Sequence, residues 1–157
     1  DCSGFVGYVL QRVLPSDIAA IEAATEPRPL AKDFETYLSS TTASFTHVTR
    51  ALDLAPGDII AWLEPADITG NTGHVLIVMG APRTSSAVAS EVLVKIADST
   101  STPHGSDDPR VAAGATGLGT GTIGLLVDSS GAPIGYRWKG DESTKDEYTS
   151  VALGRVN

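Results

Sequence analysis

One cysteine occurs in the 157 residues, and it lies in the segment Asp1-Cys2-Ser3-Gly4 that leads into the apolar run Phe5-Val6-Gly7-Tyr8-Val9-Leu10. That position reads as the start of a helix. A thiol there faces backbone N–H groups without intrahelical partners and the positive end of the helix dipole. Both favour the thiolate, which is the nucleophilic form. A lone cysteine is otherwise most often a small buried residue, so Cys2 needs partners before it counts as chemistry. Thiol catalysis requires a base for the proton and a third group that orients the base. Three histidines compete for the first role: His47, His74 and His104. His74 follows Gly73 and opens an apolar run, which places its ring at the mouth of a buried strand, where a base is held rigidly. Asp98 closes the next apolar run, Val92 to Ala97. If those two strands pair antiparallel, the start of one lies beside the end of the other. Asp98 then neighbours His74 and can accept its second ring N–H, fixing the tautomer and steadying the imidazolium. The competing structural readings are a His74 bonded to backbone and an Asp98 that caps the turn Asp-Ser-Thr.

The elements that must carry these residues follow from periodicity. Phe5, Val6, Val9, Leu10 and Val13 recur at helical spacing and predict a helix over 3–14, with Tyr8 packed on it and Pro15 ending it. Ser16 reads as the N-cap of a short second helix through Ala24. Pro27 and Pro29 break the chain, and 30–38 reads as a third helix. Leu54-Ala55-Pro56-Gly57-Asp58 is a turn. Strands are predicted over 59–63, 74–79, 92–97, 122–127, 134–138 and 151–156, the fourth and fifth forming a hairpin around Ser129-Ser130-Gly131. Residues 64–73 and the Gly-rich stretch 99–121 read as loops, the second long enough to be functional. Helices come first and strands second, which predicts a single α+β domain over 1–157, with N-terminal helices packed on an antiparallel sheet.

The net charge is −8. Such a chain lacks the cations that nucleic acid or anionic membrane surfaces demand, and no apolar run reaches the roughly 20 residues of a membrane span. A single cysteine excludes an internal disulfide framework and a multi-cysteine metal site. The spacing predicts neither a metal nor a cofactor.

Asp-Cys-Ser-Gly-Phe-Val leading a helix, then Pro-Gly-Asp-Ile-Ile-Ala-Trp, then Gly-His-Val-Leu-Ile-Val-Met-Gly, resembles the NlpC-type branch of the papain-like cysteine peptidases. The resemblance spans 1–98, with the three blocks in the family's order. It implies a papain-like fold in which a helix carries the cysteine and an antiparallel sheet supplies the histidine. It also implies hydrolysis of a peptide-type amide through a thioester acyl-enzyme, with Cys2 as nucleophile and His74 as base. The third position of the family is a polar residue on the strand after the histidine strand, and Asp98 matches it. His104, on the predicted loop, is the competing third residue or a cleft-lining residue, and His47 is structural. Backbone N–H groups of Cys2 and Ser3 are the expected oxyanion donors. Bacterial cell-wall stem peptide (peptidoglycan) is the leading substrate, and an exported protein is expected, with its signal upstream of Asp1. The family usually carries an aromatic and glycine segment before the cysteine, which is absent here or lies upstream of Asp1, and the spacings from Cys2 to His74 and from His74 to Asp98 are long for the family. Insertions at 27–44 and 81–90 would absorb the extra length and cover the cleft.

Two rivals use the same residues: an acyltransferase or thioesterase, and a non-catalytic binding module on the same scaffold. Three other signals read as structural. Gly119-Thr120-Gly121-Thr122-Ile123-Gly124 fits a dinucleotide pattern but is followed by a strand rather than a helix. Ser106-Asp107-Asp108-Pro109-Arg110 lacks calcium-loop spacing and reads as a surface turn with an Asp–Arg pair. Trp62 and Trp138 read as core or cleft-wall aromatics.

Overall fold

The computed structural model describes residues 1–23, 28–65 and 70–157. The predicted helix end at Ala24, the break at Pro27, and 66–69 of the predicted 64–73 loop lie outside them. Three helices come first: α1 (Cys2–Val13), α2 (Pro15–Ala23) and α3 (Ala31–Leu38). Strands follow: β1 (Phe45–His47), β2 (Ile59–Leu63), β3 (Gly73–Val78), β4 (Arg83–Thr84) and β5 (Glu91–Thr100). A one-turn helix α4 (Pro109–Ala113) precedes β6 (Gly117–Val127), β7 (Pro133–Arg137), β8 (Glu147–Tyr148) and β9 (Val151–Val156). The architecture is α+β, as expected, and no described helix is long and apolar enough to cross a membrane.

Pro15 ends the first helix by opening the second. It occupies the first turn of α2, where the N–H it lacks has no partner to lose, and Leu14, not Ser16, accepts the first bonds of that turn. The apolar stripe of α1 is narrower than its sequence suggests. Val6 and Leu10 are buried, whereas Val13 and Tyr8 face solvent, Tyr8 lying under the Arg12 guanidinium at 3.4 Å.

The strands form one antiparallel sheet in the order β1-β9-β2-β3-β5-β6-β7-β8, with β4 added beside β5. Along that order β2 and β7 are four strand spacings apart, about 19 Å in a flat sheet. Yet Trp62 of β2 stacks on Tyr136 of β7 with ring centroids 4.3 Å apart. The sheet is therefore curled into a partial barrel. Its concave face buries Ile60, Trp62, Leu76, Val94, Ile96 and Ile123. The convex face carries Ile59, Ala61 and Val75 against Val6, Leu10, Ile18 and Phe34 of the helices. Strands buried on both faces read as continuous apolar runs rather than alternating ones, as in Ile59-Ile60-Ala61-Trp62.

Two predicted connections are corrected. The stretch 99–121 is no long loop: β5 continues to Thr100, β6 begins at Gly117, and α4 lies between them. Glycine-rich sequence disguises this strand, because glycine is depleted from strands generally. Nor does 81–90 cover a cleft at the Asp98 end. Arg83 and Thr84 pair with Leu93 and Val92, near the opposite end of β5.

Candidate active site

The end of β2, the start of β3, the end of β5, the start of β6 and the residue after β7 meet at one mouth of the curled sheet, and α1 points its N-terminus at that mouth. They line a cleft of about 650 Å³ whose wall includes Cys2, His74, Trp62, Tyr136 and Trp138.

Cys2 is the first residue of α1, and Asp1 is the N-cap. The Asp1 carboxylate accepts from Gly4 N–H at 2.8 Å and from the Arg28 guanidinium at 2.9 Å, so the cap is itself clamped. Gly4 leaves room for that clamp, since a Cβ there would meet Arg28 Nη1 at 2.9 Å. Cys2 is half-buried, and the His74 ring and the N–H groups of Val75 and Ser3 lie close enough to act on its thiol. Burial alone would raise the thiol. The hydrogen bond and charge of His74, aided by the two backbone donors, outweigh it and lower the Cys2 pKa below the ordinary value. Ser3 N–H, expected to serve the oxyanion, thus already faces the sulfur. The N–H of Cys2 bonds to no described residue.

His74 is fixed from several directions. Its ring lies 5.4 Å from Trp62 and 5.0 Å from Trp138, centroid to centroid. Its Nε2 donates to Asp98 Oδ2 at 2.7 Å, which leaves Nδ1 for the sulfur. Gly73 before it sits at φ +127°, and a Cβ there would come within 1.9 Å of the Trp62 carbonyl oxygen. Only glycine allows the backbone to bring His74 this close to β2. Burial would depress the imidazolium, but the hydrogen bonds and charges of Asp98 and Cys2 prevail and His74 is pushed up to about 9.

Asp98 has no exposed side-chain surface. Oδ2 accepts from His74 and, at 3.0 Å, from His104 Nε2, while Oδ1 accepts from Arg110 Nη2 at 2.9 Å. Burial would raise its pKa. The two histidines outweigh burial and hold the carboxyl well below the usual carboxylate range. Thus Cys2, His74 and Asp98 are brought together in the expected order.

His104 is neither on the cleft wall nor the third residue, because Asp98 and not His104 bonds the His74 ring. It is buried behind Asp98, its Nδ1 donating to the Trp138 carbonyl at 2.8 Å and its ring lying over the Trp138 indole at 4.2 Å. The Asp108–Arg110 pair, expected at the surface, is buried with it. Asp108 caps α4, accepts from His104 N–H at 2.8 Å, and takes the Arg110 guanidinium at 2.8 Å. His47 lies at the far sheet edge, with its Nδ1 donating to the Leu38 carbonyl at 2.8 Å.

Arg110 and Asp108 were not among the residues sequence reasoning selected for chemistry, although Asp108-Pro109 is a readable helix start. The glycine run on β6 held a second signal. Residues 119 and 121 share the concave face with Ile123, and a Cβ at Gly119 would meet Arg110 Nε at 2.5 Å, one at Gly121 His104 Cβ at 2.8 Å. The strand gives up side chains to seat two large buried polar ones.

His74, Asp98 and His104 also offer ligand-type atoms within 4.8 Å of one another. Their contacts are hydrogen bonds of 2.7 and 3.0 Å, shorter than the about 3.3 Å separating two ligands on one tetrahedral zinc ion. The second Asp98 oxygen is taken by a guanidinium, which repels a metal cation. The cluster is held by hydrogen bonds and paired charges.

The remaining cleft wall is polar and acidic. Asp1 and Glu64 contribute carboxylates, and Ser99, Thr100, Ser101, Thr102 and Thr116 contribute hydroxyls. None of the described residues from 28 to 44 lines it, so those residues do not provide the expected cover.

Compared with protein-family models, curated proteins and solved structures, the chain matches none of them.

Proposed function

We propose that this protein is a cysteine hydrolase of the NlpC-type papain-like class, cleaving a peptide-type amide through a thioester acyl-enzyme. The observation that carries the reading is the line Cys2–His74–Asp98, with the sulfur at a helix N-terminus, inside a cleft whose wall it shares with a histidine that a buried carboxylate holds at 2.7 Å. A Cys2-bearing helix packed on an antiparallel sheet that supplies the histidine supports the papain-like comparison.

In the proposed reaction the Cys2 thiolate, paired with the His74 imidazolium, attacks the amide carbon. The N–H of Cys2, unbonded among the described residues, stabilises the resulting oxyanion. His74 Nδ1 gives its proton to the departing amine as the C–N bond breaks, leaving the thioester. Neutral His74 then takes a proton from water, whose oxygen attacks the thioester carbon. Collapse of that intermediate releases the acid and restores the ion pair. Asp98 keeps Nε2 protonated throughout, so that Nδ1 alone exchanges protons with the reactants.

Cell-wall stem peptide is the leading substrate, and an exported location goes with it. The aromatic wall of Trp62, Tyr136 and Trp138 and the hydroxyl run Ser99 to Thr102 suit a peptide bearing both methyl and amide groups. The test has two parts. Iodoacetamide should alkylate Cys2 well below the ordinary thiol pKa of about 8.5, and His74→Ala should abolish that advantage. Stem-peptide fragments incubated with the protein should yield free acids, by mass spectrometry, that Cys2→Ser does not produce. Labelling only above pH 8 that ignores His74→Ala would overturn the reading in favour of a binding module. Adducts of added amines in place of free acid would move it to acyl transfer.

A further inference from the structure

Two imidazoles share one carboxylate oxygen, and the hydrogen-bond roles around the inner one constrain its protons. The Trp138 carbonyl can only accept, so His104 Nδ1 carries a proton. His104 Nε2 faces Asp98 Oδ2, the same oxygen that receives His74 Nε2. The Asp98 carboxylate is ionised under its other donor, the Arg110 guanidinium, and so it too accepts. Both ring nitrogens of His104 are therefore donors, which only an imidazolium provides. The Trp138 indole face lies 4.2 Å away, centroid to centroid, and favours a cation over it.

We propose that His104 is a buried positioning residue whose two ring nitrogens both donate and which, with Arg110, neutralises and aims Asp98, so that the group orienting His74 is a charge-balanced cluster rather than a free carboxylate. Its catalytic consequence rests on the Cys2–His74 reading; its protonation does not. The charged neighbours balance. Asp98 from β5 and Asp108 at the start of α4 supply two negative charges, and Arg110 from α4 and His104 supply two positive ones. From β3, the outer imidazolium of His74 faces the Cys2 thiolate. From the turn after β7, Glu142 reaches only the neighbouring Ser106, at the surface. From β6 no charge approaches, because Gly119 and Gly121 floor the site.

The role of the inner imidazolium follows from its position. A bare Asp98 beside His74 would bind the His74 proton so tightly that delivery to a leaving amine would suffer. The His104 charge, its Nε2 within 4.8 Å of His74 Nε2, loosens that grip while keeping the Asp98 oxygen pointed outward. A lone neutral residue behind Asp98 could hold its position but could not do this.

The experiment is nitrogen-15 NMR of the full chain labelled at histidine, read from pH 6 to 9. The expected result is a His104 ring with both nitrogens protonated across the range, independent of Cys2 alkylation. A His104 ring with one bare nitrogen at pH 8 overturns the proposal. His104→Gln supplies the functional readout. Removing the cation should raise the proton affinity of His74 on the order of tenfold, seen, with the titration carried to about pH 11, as an upward move of the His74 ring midpoint. An unchanged or lowered His74 midpoint in folded His104→Gln would mean a merely structural role. If His104→Gln does not fold, the wild-type spectrum alone decides. A protein that labels as an imidazolium at His104 but cleaves no amide sinks the hydrolase reading and leaves this one standing.

Discussion

Replacing Asp98 with Asn tests the claim that a carboxylate, rather than burial or packing, holds the His74 proton. Asn keeps the size and one acceptor oxygen but removes the charge. In the intact site His74 rises from 6.5 to about 9 against the opposing effect of burial, with Asp98 foremost among the groups that raise it. That rise corresponds to about 3.4 kcal/mol, or about 300-fold in proton affinity. Cys2 supplies the rest, so an Asp98 share of half that free energy is still about 17-fold, and burial makes the true loss larger. The equilibrium between thiolate–imidazolium and thiol–imidazole shifts by the same factor, because it is the difference between the two proton affinities. The assay is the rate of Cys2 alkylation against pH. In the parent the rate should rise at a pH set by the lowered Cys2 value and stay high. In the variant the rise should move toward the ordinary thiol value of about 8.5. Amide cleavage, which needs the imidazolium as acid, should fall in the parent only as pH climbs through about 9, and in the variant from near 6.5 or below. A thermal melt accompanies the assay, since Arg110 keeps Asp108 but loses its second partner, and stripping one side of a buried ion pair typically costs about 3–5 kcal/mol. A folded variant with an unshifted alkylation profile would refute the reasoning, because then nothing about the His74 proton depends on the Asp98 charge.

Two further substitutions separate the helix start from the strand start. Gly73→Ala should destabilise the fold by more than about 1–3 kcal/mol and lower Cys2 reactivity with it, because the new methyl meets the Trp62 carbonyl and the backbone that delivers His74 must move; a normal melt with normal reactivity would count against the close approach. Asp1→Ala should lower stability by about 1 kcal/mol through loss of the cap, with the Arg28 clamp gone as well; denaturant midpoints measure it, and no change would show that the cap does not anchor α1.

The arrangement of the candidate site was legible where it depended on strand ends. Cys2 is betrayed by the Asp-Cys-Ser-Gly start of a helix, and His74 and Asp98 by lying at the head and tail of successive apolar runs that pair antiparallel. The two-layer α+β arrangement was legible from the order of helical and strand periodicity. What was not legible depended on distant chain segments meeting. Nothing local in Pro103-His104-Gly105 says that the ring will be roofed by Trp138, 34 residues on. Nor does Asp108-Pro109-Arg110 announce that its guanidinium will reach a strand end rather than water. The missed half of β6 has a plainer cause: strand propensity is scored on side chains, and there the side chains are missing so that Arg110 and His104 can lie flat on the backbone. The exposed Val13 was misread because helical spacing marks a stripe and not the depth to which the stripe is covered.

The glycine floor of β6 has a consequence for how this molecule comes apart. The middle of the barrel is held by interlocked aliphatic groups, Val94, Ile96, Ile123 and Leu125 among them, whose grip does not depend on acidity, while its far end carries the buried Glu91–Arg137 pair. The cleft end has ions where those aliphatic groups would be. Asp98 sits below its ordinary value, so the stability it lends is whole above about pH 4 and drains away as the pH drops below that. With its carboxylate discharged and bare backbone underneath, this mouth has little apolar matter to keep it shut. Acid should therefore loosen the cleft end while the aliphatic middle still holds, so that the mouth comes apart before the overall shape does.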